Sequence, residues 1–209
     1  MKESPGWLLV PVLLLLLPAC STRQVQEMDA GPPELVYQQR SDRLQAIEEW
    51  DFHGRLSMDD GRDGGSGRLH WSTREAVSSL DFRGALGRGA WRLSVKPGEA
   101  LLEKGDGSST RAPTVDQLIQ REIGWQLPVD MLQWWVLGLN APGPFNSMEL
   151  DEAGLARSFE QGGWTIEYDR YQDADGIEMP RKMEAVSGRY RIKLAVSRWE
   201  LNAGEFPGG

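Results

Sequence analysis

The residue with the most distinctive chemistry in this 209-residue sequence is Cys20, which is its only cysteine. It follows an apolar run from Trp7 to Leu17 and the dipeptide Pro18-Ala19, and a single lysine, Lys2, precedes the run. A run of this length is short for a membrane-spanning helix, and a small residue at its end is typical of the cleavage site of a secretory signal. The sequence therefore predicts an exported chain with a thiol at its processing site.

The sequence Leu17-Pro18-Ala19-Cys20 resembles the bacterial lipobox. This resemblance implies that residues 1–19 are removed, that Cys20 receives a diacylglyceryl thioether, and that the new amino terminus is acylated. Three acyl chains would anchor the protein firmly without a spanning segment, because each buried methylene contributes about 0.8 kcal/mol. Ser21 follows where inner-membrane lipoproteins usually carry aspartate, which favours the outer membrane. The alternative is an ordinary secretory signal with an incidental cysteine.

Patterns of catalytic and metal-binding residues are weak elsewhere in the sequence. The two histidines, His53 and His70, fall opposite each other on the polar face of a predicted hairpin, where a metal ion lacks an obvious third ligand. The glycine-rich segment 84–89 has the wrong spacing for a dinucleotide-binding loop and precedes a strand rather than a helix. We therefore predict that the protein is not an enzyme and holds neither a metal nor a cofactor, apart from the acyl groups on Cys20.

Composition and length restrict the domain organisation. The formal charge of −8 argues against a nucleic-acid partner. Removal of residues 1–19 leaves 190 residues, which suits one domain with a sizeable core. Residues 20–33 are polar and end in Gly-Pro-Pro, so they predict a lipidated, flexible tether before a domain that spans residues 34–209.

Alternation of apolar and polar residues dominates the chain after residue 50. From Trp50 to Met58 the even positions are apolar or glycine, and pairing Phe52 with Trp71 gives the first hairpin one continuous apolar face. About eleven short strands of this kind, each with one buried face, predict a mainly β (α+β) fold in which an antiparallel sheet curls into a barrel or half-barrel. The other segments lie near 80–82, 91–95, 100–104, 109–112, 147–150, 155–160, 164–171, 181–187 and 189–199.

Three helices are predicted beside the strands. The first covers residues 34–49 after a proline pair, and the second follows a capping box formed by Thr114 and Gln117. The third begins at Pro128. The second and third helices have apolar stripes that could be buried only in the open mouth of the sheet, so we predict an internal lid over residues 114–139.

The aromatic inner face has two interpretations. Its rings could fill a solid core, or they could line a cavity for an apolar ligand. Gly54 and Gly67 lie on the same face and favour the cavity, because a residue without a side chain leaves space. The role of Leu86 also has two interpretations. An aliphatic residue within a loop of small residues could fold back over the rim of the barrel, or it could project from the domain as an exposed apolar side chain.

Several motifs in order from about residue 34 to 201 together resemble the LolB family of outer-membrane lipoprotein receptors. Each motif is weak alone, but their joint order after a lipobox is specific. The motifs are Trp50 with Gly54-Arg55, Leu69-x-Trp71, Gly84-Ala85-Leu86-Gly87, Leu127-Pro128-x-x-x-Leu132-x-x-Trp135-x-x-Gly138, Gln161-Gly162-Gly163-Trp164-x-x-x-Tyr168-x-x-Tyr171, Met179-Pro180, and Arg191-Ile192-Lys193-Leu194 with Trp199.

This resemblance implies a fold, a function and partners. The fold would be an unclosed barrel of about eleven strands with a helical lid over an apolar cavity. The protein would be a monomer in the outer membrane, facing the periplasm, that accepts acylated lipoproteins from the carrier LolA and inserts them into the inner leaflet. Leu86 would act in membrane insertion, in contact with outer-membrane lipid. The implied cavity residues are Trp50, Phe52, Leu69, Trp71, Leu80, Phe82, Trp91, Leu93, Leu118, Ile119, Leu132, Trp135, Trp164, Ile166, Tyr168, Ile192 and Leu194.

An alternative of another class stays open on the residues alone. A structural or assembly lipoprotein of the outer membrane would have the same anchor and the same alternating strands, but a solid barrel core. An enzyme acting on cell-wall glycan through a carboxylate pair is less favoured, because no pair among the many Asp and Glu residues stands out from a solvated face.

Overall fold

The structure is a computed structural model, and it describes residues 31–85, 89–123 and 128–202. Within these residues the chain forms eleven strands and three helices. The helices are α1 (Pro33–Gln45), α2 (Val115–Ile123) and α3 (Val129–Trp135). The strands are β1 (Glu49–Asp59), β2 (Gly64–Arg74), β3 (Val77–Gly84), β4 (Trp91–Lys96), β5 (Glu99–Lys104), β6 (Ser109–Ala112), β7 (Asn146–Leu150), β8 (Ala156–Gln161), β9 (Trp164–Ala174), β10 (Ile177–Ser187) and β11 (Tyr190–Asn202).

All eleven strands belong to one antiparallel sheet in the order β6-β5-β4-β3-β2-β1-β11-β10-β9-β8-β7. The chain returns to its start, because the last strand, β11, pairs with the first, β1. Among the described residues the two edge strands do not meet, since β6 pairs with β5 and β7 pairs with β8. The predicted unclosed antiparallel sheet is therefore confirmed.

The register of the first hairpin is the one that the alternation predicts. Phe52 lies opposite Trp71, and Leu56 lies opposite Gly67, so one face of β1 and β2 is apolar along its length. The end predicted for the first helix, residue 49, is wrong. Helix α1 ends at Gln45, because Glu49 already pairs with strands on both sides of β1 and the buried Ile47 carries the chain into the core.

The interpretation of Gly54 and Gly67 as space for a cavity is also wrong. A Cβ atom on Gly67 would lie 2.3 Å from the carbonyl oxygen of Arg83 and 2.6 Å from the ring of Phe82. A Cβ atom on Gly54 would lie 2.7 Å from the carbonyl oxygen of Ala195, next to a β-bulge in β11 that lies opposite His53 and Gly54. Neighbouring strands occupy the space, so the glycines permit close approach and bending of the sheet.

Several connections leave the sheet at the same end. Because neighbouring strands are antiparallel, this end carries the β1–β2 turn, the β3–β4 connection, the β8–β9 turn and the β10–β11 turn. The connection from β3 to β4 contains Leu86, which lies outside the described residues, as does Cys20. In the part of the chain that the structure describes, no helix is both long enough and apolar enough to cross a membrane.

Candidate functional site

The inner face of the sheet and the two central helices share one cluster of buried apolar side chains. Helix α2 packs against β5, β6 and α3, and its Leu118 is fully buried, as is Trp135 of α3. The structure brings all the predicted cavity residues into this cluster, with Trp91 at its edge and partly exposed. The buried members are Trp50, Phe52, Leu69, Trp71, Leu80, Phe82, Leu93, Leu118, Ile119, Leu132, Trp135, Trp164, Ile166, Tyr168, Ile192 and Leu194.

Aromatic rings form the densest part of the cluster, where β1, β2 and β11 meet. The centroids of Phe52 and Trp199 are 4.8 Å apart, and those of Trp50 and Trp71 are 5.7 Å apart. Sequence reasoning missed Trp199 as a lining residue. Residues of β11 with even numbers face the inside of the sheet up to Val196, but from Trp199 onward the residues with odd numbers do so. The bulge opposite His53 and Gly54 causes this change of parity. The switch from Val196 to the odd pair Trp199 and Leu201 is a signal in the sequence that could have revealed it.

The end of α3 is held to the sheet by buried hydrogen bonds. Gln161 of β8 accepts from the indole Nε1 of Trp135 at 3.0 Å and from the backbone N–H of Ala141 at 2.8 Å. Its amide nitrogen donates to the carbonyl oxygen of Ala141 at 2.8 Å. The hydroxyl of Tyr168 donates to the carbonyl oxygen of Trp135 at 2.7 Å, and burial raises the pKa of this phenol well above its usual value. These bonds fix residues 135–141 against β8 and β9.

A buried arginine adds a second fixed point behind α3. Arg40 of α1 is only 7% exposed, and its Nη2 donates to the carbonyl oxygens of Leu137 and Glu178, each at 2.7 Å. Its guanidinium also lies 5.7 Å from the ring centroid of Tyr171. Burial lowers the pKa of Arg40, and the carbonyl bonds offset part of the cost of a charge in the interior. Nothing in the sequence around residue 40 marks this role, because its partners are distant in the chain.

A cleft of about 790 Å³ opens between the helices and the β8–β9 and β10–β11 turns. It is lined by Asp116, Gln117, Gln120, Pro128, Gly162, Trp164, Ser187, Gly188, Arg189 and Tyr190. The indole of Trp164 also contacts Trp135, with ring centroids 6.1 Å apart, so the cleft reaches the buried cluster. The cleft therefore borders the buried cluster at this end of the sheet, and we refer to it as the mouth.

One acidic residue of the mouth links the two helices. Burial, reinforced by the nearby Asp130, raises the pKa of the Asp116 carboxyl, although a hydrogen bond from the backbone N–H of Val129 acts in the opposite direction. Asp116 lies in the first turn of α2, and Val129 is the first residue of α3. This contact is a polar link between α2 and α3.

Comparison with known proteins decides the family. A family model described as outer membrane lipoprotein LolB matches residues 48–199, which is most of the chain. The chain belongs to the LolB family. An outer-membrane lipoprotein LolB of Pseudomonas savastanoi is 32% identical over 189 residues, which cover 90% of this chain and 92% of that protein. Another, from Alkalilimnicola ehrlichii, is 32% identical over 195 residues, covering 93% of this chain and 96% of that protein.

Among solved structures, a LolA superfamily protein from Nitrosomonas europaea aligns with this LolB-family chain. The TM-score is 0.49 and the sequence identity is 9%, over 84% of this chain and 95% of that chain.

The histidine pair of this LolB-family chain lies on the outer face of the sheet. His53 and His70 are direct neighbours across β1 and β2, and their rings are parallel with centroids 4.2 Å apart. Asp51 is a third potential ligand that sequence reasoning missed, with its Oδ1 3.6 Å from Nε2 of His70. A metal ion bound to an imidazole nitrogen lies in the plane of that ring. Because the two rings are stacked in parallel planes, no single ion can lie in both planes at once. The arrangement suits a stacked surface pair.

Proposed function

We propose that this chain accepts acylated lipoproteins from the carrier LolA and inserts them into the inner leaflet of the outer membrane. The observation that carries the proposal is the continuous apolar cluster under two helices, with a mouth that reaches it, in a member of an outer-membrane lipoprotein family. Cys20 would hold the protein in the same membrane through its acyl chains, and residues up to 33 would serve as its tether.

The energetic need for such an interior follows from the cargo. Acyl chains exposed to water cost about 25 cal/mol per Å² of apolar surface, so a lipoprotein cannot cross the periplasm unshielded. Transfer needs no nucleotide if affinity for the chains rises from carrier to receptor to bilayer, with each tenfold step requiring about 1.4 kcal/mol. A lining of rings and aliphatic side chains binds through non-directional contacts, which can be released without breaking specific hydrogen bonds.

Acceptance of cargo requires the helices to move, because α2 and α3 occupy the interior. The two helices are attached differently. The end of α3 is fixed by Gln161, Tyr168 and Arg40, whereas α2 rests on β5 and β6 mainly through apolar side chains. The polar contacts of α2 with these strands include a partly buried ion pair between Lys104 and Glu122 and a hydrogen bond from Arg121 to the carbonyl oxygen of Arg111 on the exposed side. We infer that α2 swings outward while residues 135–141 act as the fixed end, and that acyl chains replace its apolar contacts.

The arrangement of connections supports the proposal that one end of the sheet carries both cargo release and membrane contact, and we call it the working end. The mouth and the β3–β4 connection lie at the same end of the sheet, so Leu86 would meet the bilayer close to the place where cargo is released. We propose that this leucine enters the leaflet and that the mouth also faces LolA during transfer. The acidic net charge would suit a basic rim on the carrier.

The decisive experiment measures transfer directly. A chain that begins at Ser21 is mixed with LolA loaded with an acylated lipoprotein, the proteins are separated, and the location of the lipoprotein is measured. Circular dichroism confirms that the chain is folded. We expect the lipoprotein to move to this chain. Retention on LolA by the folded chain would contradict the proposal and favour a structural lipoprotein with a solid core.

A substitution in the β3–β4 connection separates acceptance from insertion. We expect Leu86→Glu in the mature acylated protein to accept cargo as before but to reduce its insertion into vesicles at least tenfold, because a charged side chain resists burial in lipid. Val77→Glu is the matched control, since Val77 is an exposed apolar residue of β3 at the opposite end of the sheet. Normal insertion by the Leu86→Glu variant would contradict this role.

A further inference from the structure

Three arginines form an unneutralised row across the outer face of the sheet. Arg55 of β1 lies opposite Arg68 of β2, which lies opposite Arg83 of β3, and all three are exposed. In the part of the chain that the structure describes, none of them forms an ion pair. Like charges directly opposite each other destabilise a sheet, so the row has a cost in the free protein that a bound anion would offset.

The row lies in a groove of about 600 Å³, and its three arginines supply the net positive charge of that groove. Arg92 of β4 lines the same groove, its Nε donates to Oδ1 of Asp81 at 2.7 Å, and its Nη2 lies 2.7 Å from the same oxygen. Asp81 is the one carboxylate among the described groove residues, and that pairing neutralises it. The groove is therefore cationic in a chain whose formal charge is −8. Its charge is opposite in sign to the net charge of the molecule.

The arginine row lies near the working end of the molecule, beside the β3–β4 connection. Arg83 is the second-last residue of β3, and the β3–β4 connection follows at once. The outer face of β3 beside this connection would approach any surface that the connection enters. We propose that the row formed by Arg55, Arg68 and Arg83 binds the phosphate groups of anionic membrane lipids and holds this edge of the domain against the bilayer. The inference extends the proposed function, because the placement of the bilayer at this end rests on it.

The shape of the row favours a lipid surface over a single soluble ion. Neighbouring strands are about 4.8 Å apart, so three arginines in line across them extend over roughly 10 Å, more than one phosphate can contact. They stand on an open sheet face rather than in an enclosed pocket. Guanidinium groups bind phosphate oxygens in a bidentate manner, and a cation near an anionic leaflet gains about 1 kcal/mol. An array of phosphates in one plane matches this arrangement.

The test uses the mature acylated protein in vesicles. Because Cys20 is the only cysteine and is acylated in that form, Ser66→Cys introduces one reactive thiol two residues from Arg68 on β2. A polarity-sensitive fluorophore on this thiol reports approach of the outer face to lipid. We expect a blue shift in vesicles that contain phosphatidylglycerol, a smaller one in pure phosphatidylcholine, and loss of the difference at high salt.

Charge variants identify the residues responsible. Changing Arg55, Arg68 and Arg83 together to Gln should reduce the ratio of membrane-apposed to free domain by about fivefold for each arginine, on the order of 100-fold in total. Arg68→Gln alone should reduce this ratio about fivefold. This single variant replaces the triple variant in the test if the triple variant does not fold. The matched control changes three exposed arginines elsewhere, Arg74, Arg157 and Arg181, to Gln and should keep the wild-type shift.

Three results would overturn the inference. They are an unchanged shift in the triple variant, an equal shift in phosphatidylcholine, and a response of the label to inorganic phosphate in detergent without vesicles, which would identify a soluble-anion site. Transfer of cargo from LolA is measured on the same variants. If transfer occurs but the label does not respond, the arginine row fails and the proposed function stands. If the label responds but transfer is absent, the proposed function fails alone.

Discussion

Single residues without side chains determine how closely the strands of this sheet pack. Gly67 lies under the ring of Phe82 and beside the backbone of Arg83, so its missing Cβ is what allows β2 and β3 to carry a large ring over the inner face. Gly65, two residues earlier on β2, has open space where a Cβ would stand, with no described atom within 4 Å, and so makes no such contribution. The two glycines differ in environment although they share a strand.

We expect Gly67→Ala to lower the free energy of unfolding by about 2–3 kcal/mol, because the new methyl group overlaps a backbone oxygen that cannot move independently. Urea denaturation followed by tryptophan fluorescence measures the change. Gly65→Ala is the control and should leave stability unchanged or raise it by about 0.4–1 kcal/mol through lower entropy of the unfolded chain. Equal effects of the two substitutions would contradict the proposed role of Gly67.

At the scale of secondary-structure elements, the helix pair α2 and α3 has one end fixed by buried hydrogen bonds and one end held mainly by apolar contacts. The segment after α3 is fixed to β8 through Gln161, whose side chain satisfies the indole N–H of Trp135 and both backbone groups of Ala141. Helix α2 lacks a comparable set of buried polar bonds among the described residues. Apolar contacts can be exchanged for acyl chains at little net cost, whereas buried hydrogen bonds cannot, which supports the proposal that α2 moves while the segment after α3 stays fixed.

We expect Gln161→Leu to loosen α3 and the segment that follows it. The indole of Trp135 and the backbone N–H of Ala141 would lose their acceptor, and each unsatisfied buried donor costs about 1–3 kcal/mol. Hydrogen exchange of amides in residues 129–141 should accelerate by roughly 5- to 100-fold. Gln133→Leu is the control, because the Gln133 amide only donates to the carbonyl oxygen of Asp130 on the exposed side of α3. Similar acceleration in both variants would contradict the assignment.

At the scale of the whole molecule, we propose that the domain and an acyl anchor on Cys20 are separate units joined by the polar segment 20–33. Every strand and helix that the structure describes lies between residues 33 and 202, after the proposed anchor and tether. The proposed function does depend on it, because the mouth and the arginine row can work on the outer membrane only if the chain is held there. Such a separation would let the domain turn between the proposed carrier and the leaflet.

We expect Cys20→Ser to abolish acylation, because the thioether requires the thiol, and to remove the chain from the outer-membrane fraction. Mass spectrometry of the purified chain and membrane fractionation measure the two effects, and the thermal melt of the domain should be unchanged. Ser21→Ala is the control and should keep both the lipid and the location. A Cys20→Ser chain that still carries acyl groups in the outer membrane would contradict the lipobox interpretation.

The sequence by itself determined the strands, most of their inward faces and the family. Alternation is a local property, so pairs such as Phe52 with Trp71 and the apolar stripes of α2 and α3 could be predicted, and the motifs that resemble LolB lie in order along the chain. The capping box at Thr114 predicted the start of α2 to within one residue. What these signals share is that each depends on residues a few positions apart.

The tertiary structure alone decided where the local rules fail and which distant residues meet. A bulge reversed the inward parity of β11 and brought Trp199 into the aromatic cluster, and close strand approach, rather than open space, accounts for Gly54 and Gly67. Arg40 reaches a carbonyl group 138 residues away, and Gln161 binds an indole 26 residues away. The arginine row exists only once three strands are in register. Such partners satisfy buried polar groups or align charges across strands, and no local periodicity records either requirement.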